Sequence, residues 1–197
     1  MDGVKRVRKR DRVGTRDTMV AAARSLFLEQ GYARTTIADI ARRADIAPQT
    51  VYWAFGSKAG LVAEIRERWL AEAHTGERLR AVLATADPAA RLDAYATFMT
   101  GQWVTGAEAV AIQEDAMRAD ASVAVGVQRA LAERSGVLAE VTRPLESVLR
   151  DGVSLERAHA ILLGLSMSAL YLELRSHGWT PEAYRDWLSG VLREQLL

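Results

Sequence analysis

Residues 36–58, TIADIARRADIAPQTVYWAFGSK, constrain this chain more than any other stretch. Ile37, Ile40 and Ala41 recur at i, i+3, i+4 and predict a short helix with one apolar face. Thr36 stands where a hydroxyl can accept from an orphan N–H of the first turn, and Arg42 and Arg43 suit the negative end of the helix dipole. Ala44 to Ala47 read as a tight turn, with Asp45 among the few non-glycine residues that tolerate positive φ. Pro48 then opens a second helix at a position where its missing N–H costs nothing. Val51 and Phe55 share the inner face of that helix, which leaves Gln49, Thr50, Tyr52 and Trp53 to point elsewhere. Ser57 caps a further helix from Lys58. Helix, tight turn and short helix with a polar and aromatic outer face make a helix-turn-helix.

Charge is distributed to match. The net charge is only +1, but residues 1–60 carry twelve Lys/Arg against six Asp/Glu, and the remainder 14 against 19. A basic head on an acidic body is the electrostatic footprint of a nucleic-acid-binding domain joined to something else. Residues 1–13 read as an irregular basic arm. Their Lys5–Arg10 cluster suits phosphates or a minor groove, and equally a solubilising tail.

At these positions the chain resembles the TetR family of transcriptional repressors. The resemblance rests on Thr36, Ile40-Ala41, Ala44, Thr50-Val51-Tyr52, Phe55-Gly56-Ser57-Lys58 and Leu61, about ten positions at fixed spacing. It is sharp over residues 15–65; beyond them it rests on helix number and length. One departure is Asp45, where the family usually has Gly. What the resemblance implies is a three-helix DNA-binding domain and a helical second domain that dimerises through its last two long helices, here residues 155–176 and 181–195. It also implies phosphate contacts from Thr36, Tyr52 and Lys58.

The rest of the chain reads as helix throughout, so the expected fold is all-α with about nine helices. A first helix runs from Thr15 or Arg16 to Gln30, with Met19, Ala22, Ala23, Leu26 and Phe27 buried and Gly31 ending it. A long helix from Lys58 reaches toward Ala84, with Gly76 as its weak point, and forms the only covalent link between head and body. Further helices are expected over 88–103, 107–119, 122–150 (strained at Pro144), 154–176 and 181–195, with Thr105-Gly106 separating two of them. The expected domains are 1–57, arm and helix-turn-helix, and 58–197, effector binding and dimerisation.

Side-chain chemistry then suggests roles. Gln49 can pair bidentately with adenine, Thr50 can reach a phosphate or a thymine methyl, and Arg43 a base or phosphate. Trp53 either packs on the sugar-phosphate or lies on the first helix. Candidate effector-lining residues are Trp69, Tyr95, Phe98, Met99, Trp103, Gln113, Glu114, Met117, Met167 and Tyr171, aromatic and Met side chains with a few polar groups. At helical spacing the same residues also read as plain core. Glu114 and Asp115 would favour a cationic ligand if turned inward, and otherwise form a solvated edge.

Other functions find little support. The chain has no Cys, so thiol catalysis and zinc-thiolate sites are excluded, and its three His share no metal-ligand spacing. No nucleotide fingerprint, phosphate loop or hydrolase serine motif appears, so neither enzyme nor cofactor is expected. No apolar run suits a signal peptide or a membrane span, which makes the cytoplasm the expected location. The expected function is a homodimeric repressor, released from a palindromic double-stranded operator by a small-molecule effector. The competing reading is a helical small-molecule-binding or interaction protein that no longer uses DNA, which Asp45 would favour.

Overall fold

A computed structural model describes the backbone of residues 2–197 and the side chains of residues 14–197. The fold is all-α. In order, the helices are α1 (Asp2–Gln30), α2 (Ile37–Arg43), α3 (Pro48–Phe55), α4 (Lys58–Glu72), α5 (Thr75–Ala84), α6 (Pro88–Ala119) and α7 (Ala121–Thr142). A 3₁₀ segment (Arg143–Val148) precedes α8 (Leu155–Leu165), α9 (Ser168–Ser176) and α10 (Pro181–Leu196). The chain divides into two compact units. The first is Met1–Arg68 with Glu108–Val127, and the second is Trp69–Ala107 with Gln128–Leu197. The unit boundary therefore falls inside α4, α6 and α7, so the expected single covalent link is replaced by three crossings of the chain.

In the first unit α1 supplies Met19, Ala23, Leu26 and Phe27, α2 supplies Ile40 and Ala41, α3 supplies Val51, and α4 supplies Leu61, Val62 and Ile65, all buried. These are the apolar positions of the 3.6-residue pattern, and their burial is what drives so short a set of helices together. The second unit is built around α6, whose Leu92, Tyr95, Ala96 and Met99 are buried, together with Leu138 and Val141 of α7, Leu162 of α8 and Tyr184, Leu188 and Leu192 of α10.

Several boundaries differ from expectation, each for a local reason. Backbone helix begins at Asp2 rather than near Thr15, since Lys and Arg are good helix formers even without an apolar stripe. The side chains of the basic cluster Lys5–Arg10 lie outside the described residues. The helix from Lys58 breaks at His74, which takes the left-handed conformation at φ 50°, while Gly76 sits in the first turn of α5. Thr105-Gly106 does not interrupt α6. There the Thr105 hydroxyl donates back to the Gly101 carbonyl at 3.1 Å, and a Cβ on Gly106 would lie 2.3 Å from the Trp69 indole. Packing has overridden local propensity. The chain leaves α-geometry just before Pro144, as an interior proline demands. The apolar helix expected over 154–176 is two helices, α8 and α9, divided at Ser166-Met167. Ser166 is fully buried, and its hydroxyl donates to the Leu162 carbonyl at 2.6 Å while accepting from the Tyr95 hydroxyl at 2.7 Å.

Candidate nucleic-acid interface and the buried face of α6

The turn between α2 and α3 is built from its residues upward. Thr36 caps α2 with a full capping box: its hydroxyl accepts from Asp39 N at 3.1 Å, and Asp39 Oδ2 accepts from Thr36 N at 3.0 Å. At the other end Ile46 N donates to the Ala41 carbonyl at 3.0 Å and Asp45 N to the Arg42 carbonyl at 3.3 Å. Asp45 between them has φ 53°, so this is a Schellman close with aspartate at the left-handed position. Pro48 then starts α3 without any side-chain cap.

What α3 presents follows from its one buried residue, Val51. Around it Gln49 is exposed, Thr50 half-buried, Tyr52 49% exposed and Trp53 79% exposed. At that exposure Trp53 does not lie on α1. Arg43 is also at the surface, but its guanidinium is bidentate to Glu29, at 3.0 and 2.8 Å, and donates to the Ser25 hydroxyl at 3.0 Å. Those bonds from Arg43 and then Ser25 hold the Glu29 carboxyl down at about 2.

The α3 helix is held from behind. Arg16 of α1 donates to the Ala54 carbonyl at 3.0 Å, lies over the Phe55 ring at 4.4 Å from its centroid, and pairs with Glu64 of α4 at 2.6 Å. It thereby satisfies one orphan carbonyl at the α3 C-terminus. A Cβ on Gly60 would lie 2.0 Å from the Phe55 carbonyl oxygen, so α4 can start this close to α3 only with glycine there. Lys58 turns inward: its Nζ donates to the carbonyls of Tyr32 and Thr35 at 2.6 and 2.9 Å and stands 4.0 Å from the Tyr32 ring centroid. Burial lowers its pKa, and the nearby Asp120 partly opposes that.

The candidate effector residues fall into two sets. Gln113, Glu114 and Met117 belong to the first unit, where Glu114 is exposed and the other two half-buried. Asp115 accepts from Tyr32 N at 2.7 Å, so neither member of the acidic pair is an unspent inward charge. Trp69, Tyr95, Phe98, Met99, Trp103, Met167 and Tyr171 belong to the second unit. There the Trp69 and Trp103 rings are 6.0 Å apart, Tyr95 and Phe98 6.3 Å, and Tyr171 meets Tyr184 edge-on at 4.9 Å. Met167, at the α8–α9 break, is 45% exposed. Burial pushes the Tyr95 hydroxyl up to about 12.

Two residues that sequence reasoning passed over also belong to this face. Arg134 of α7 reaches the Ser166 hydroxyl and carbonyl at 3.4 Å and lies 5.8 Å from the Trp103 ring centroid. Arg91, in the first turns of α6, is only 6% exposed. Its signal in the sequence was position: it precedes Tyr95 and Phe98 by four and seven residues, on the apolar stripe.

Comparison with known proteins agrees with the head described above. Residues 19–65 match the bacterial regulatory proteins of the tetR family. The transcriptional regulator TtgR of Pseudomonas putida is 46% identical over 48 residues, 24% of this chain and 23% of TtgR. The head, residues 19–65, is a tetR-type domain. AlkX of Mycobacterium tuberculosis is 44% identical over 46 residues, 23% of this chain and 22% of AlkX, so these curated relatives are matched over less than a quarter of their length. The fold likeness is wider. NalD, the secondary repressor of the MexAB-OprM efflux pump in Pseudomonas aeruginosa, superposes with TM-score 0.72 at 22% identity over 95% of this chain and 98% of its own. SmeT, solved as a complex with triclosan, superposes with TM-score 0.69 at 22% identity, over 93% of this chain and 92% of its own. Among the described residues no group of three or more His, Cys, Asp or Glu could hold a metal ion, and no helix is long and apolar enough to cross a membrane.

Proposed function

We propose that this protein is a sequence-specific DNA-binding regulator: a homodimeric, cytoplasmic repressor that leaves a palindromic operator when a small molecule binds its second unit. The observation that carries this reading is the outer face of α3, where Gln49, Tyr52 and Trp53 are exposed on a helix braced from behind by Arg16 and Glu64. A braced short helix with an unspent polar and aromatic face is what major-groove recognition requires. Gln49 and Thr50, at its N-terminal end, are the proposed base readers, and Tyr52 and Trp53 the groove-wall and sugar-phosphate contacts. Thr36 and Arg43 flank that face. Lys58, committed to two carbonyls, acts by holding the α1–α2 connection, with any phosphate contact secondary.

Two features support the effector and dimer parts. The second unit gathers Trp69, Tyr95, Phe98, Met99 and Trp103 around α6, and α6 continues into the first unit, a covalent route for any rearrangement. Leu163, Leu165, Leu170, Leu172 and Leu174 of α8 and α9 are only half-buried, apolar surface of the kind a second copy covers. NalD is a repressor and SmeT binds triclosan, and the present chain shares their fold. The proposed work of the head is binding.

The test is binding to DNA from beside the protein's own gene across a salt series, for wild type and Tyr52→Ala. Affinity should fall with salt at about −0.9 in log–log slope per phosphate neutralised. Half-sites should be centred about 34–36 Å apart, one helical turn. Selection from random sequence that enriches no palindrome would overturn the reading.

A further inference from the structure

Arg91 is a largely buried side chain without a counter-ion. No hydrogen bond or ion pair to its guanidinium occurs among the described residues, and its Nε is sealed from solvent with no partner. The carboxylates nearest in the chain are committed elsewhere. Asp87 caps α6, accepting from Ala90 N at 2.7 Å. Asp93 accepts from the Ser189 hydroxyl and pairs with Arg193 at 3.4 Å. Arg91 also stands in the opening turns of α6, the positive end of the helix dipole, where a cation is disfavoured. A guanidinium keeps its charge, and a donor sealed from water without a partner leaves its desolvation uncompensated. Such a residue is tolerated where something anionic completes it.

The surroundings say what kind of anion. The unpartnered Nε lies on the edge of the guanidinium that, with one Nη, grips a carboxylate through two parallel hydrogen bonds. Along the same helix face follow Tyr95 and Phe98, both buried, so the neighbouring positions on that stripe are apolar aromatics. Further along α6, Gln102 Oε1 is also buried and unpartnered. Two such atoms, Arg91 Nε and Gln102 Oε1, therefore lie on α6 between 91 and 102.

We propose that Arg91 is the anion-binding residue of a small-molecule site on the buried face of α6, and that its ligand is an organic carboxylate. This reverses the sign suggested by Glu114 and Asp115, which do not supply a free inward charge. Calling the ligand an effector rests on the regulator reading; the site itself does not.

The experiment uses the full chain and matched probes: octanoate against octanamide, 1-naphthoate against 1-naphthamide, and sodium phosphate. Binding is measured by calorimetry, and melting by scanning fluorimetry, for wild type, Arg91→Lys and Arg91→Met. At least one carboxylate should bind wild type about ten- to a hundredfold tighter than its amide, the range expected for a hydrogen bond to a charged group. Arg91→Met should erase that difference and melt higher without ligand, Arg91→Lys should keep part of it, and phosphate should bind more weakly than the carboxylate. Equal binding of acid and amide, no binding of any carboxylate, or an acid preference that survives Arg91→Met each overturns the proposal. So does a dimer that falls apart in Arg91→Met, because the counter-ion would then come from a second copy. Operator binding is measured separately without ligand. Its failure alone would strike the regulator reading, and failure of the carboxylate series alone would strike this one.

Discussion

The Tyr32 hydroxyl donates to Asp120 Oδ2 at 2.6 Å, across 88 residues of sequence. The same tyrosine donates its backbone N–H to Asp115 at 2.7 Å, and its carbonyl accepts from Lys58 at 2.6 Å. One residue thus ties the α1–α2 connection to the corner between α6 and α7. Asp120 can serve because it is already fixed as the cap of α7, accepting from Ser122 N at 2.9 Å.

Tyr32→Phe should remove one of these ties and keep the ring under Lys58. The urea midpoint should fall with an unchanged slope, and Tyr32→Ala, which also empties a buried aromatic site, should cost about 3–5 kcal/mol. Phe at wild-type stability would show that the hydroxyl contributes nothing net.

Acid should loosen the first unit before pH 2 is reached. Glu29 is held at about 2 by Arg43 and Ser25, and Asp120 at about 2 by Ser122 and Tyr32. Both folded values lie below the ordinary carboxylate range of about 4. Their contribution is therefore fully present above that range and is lost as pH falls from about 4 toward 2. Urea midpoints from pH 6 to 2 should drop in that window, and Glu29→Gln or Asp120→Asn should flatten the drop.

Asp45→Gly should stabilise the protein by about 1 kcal/mol, since Asp45 occupies a left-handed position at φ 53° where glycine meets no Cβ penalty. Removing a negative charge beside α3 should also tighten DNA binding, with the gain shrinking as salt rises. A weaker-binding glycine variant would show that the carboxylate has a positive role in the turn.

Gly106→Ala should destabilise by about 1–3 kcal/mol, because its Cβ would fall 2.3 Å from the Trp69 indole. The Trp69 Nε1, which donates to the Gln102 carbonyl at 3.1 Å, would have to move, so a changed tryptophan emission should accompany the loss. Gly60→Ala, against the Phe55 carbonyl, should act on the first unit instead and weaken DNA binding.

Much of the head was legible because its signals are local. The Thr36 cap, the left-handed Asp45, Pro48 at the start of α3 and Ser57 as a cap at 3.1 Å from Gly60 N all depend on residues within four positions of one another. The second unit was less legible. Thr105-Gly106 reads as punctuation, yet α6 runs through it because Trp69 needs the missing Cβ. The stretch 154–176, apolar nearly all round in its middle, reads as one helix, yet Ser166 breaks it by satisfying Tyr95 from α6.

By itself the sequence determined the all-helical class, the helix-turn-helix and the membership of its head in the tetR family. Propensity, capping and the 3.6-residue period act over one or two turns, and one or two turns is the range a sequence window can read. Only the tertiary structure decided that Lys58 points inward, that Asp115 and Asp120 hold Tyr32, and that the Arg91 Nε is sealed without a partner. Whether a charge is paired depends on groups brought together from distant parts of the chain, and no local pattern encodes that distance.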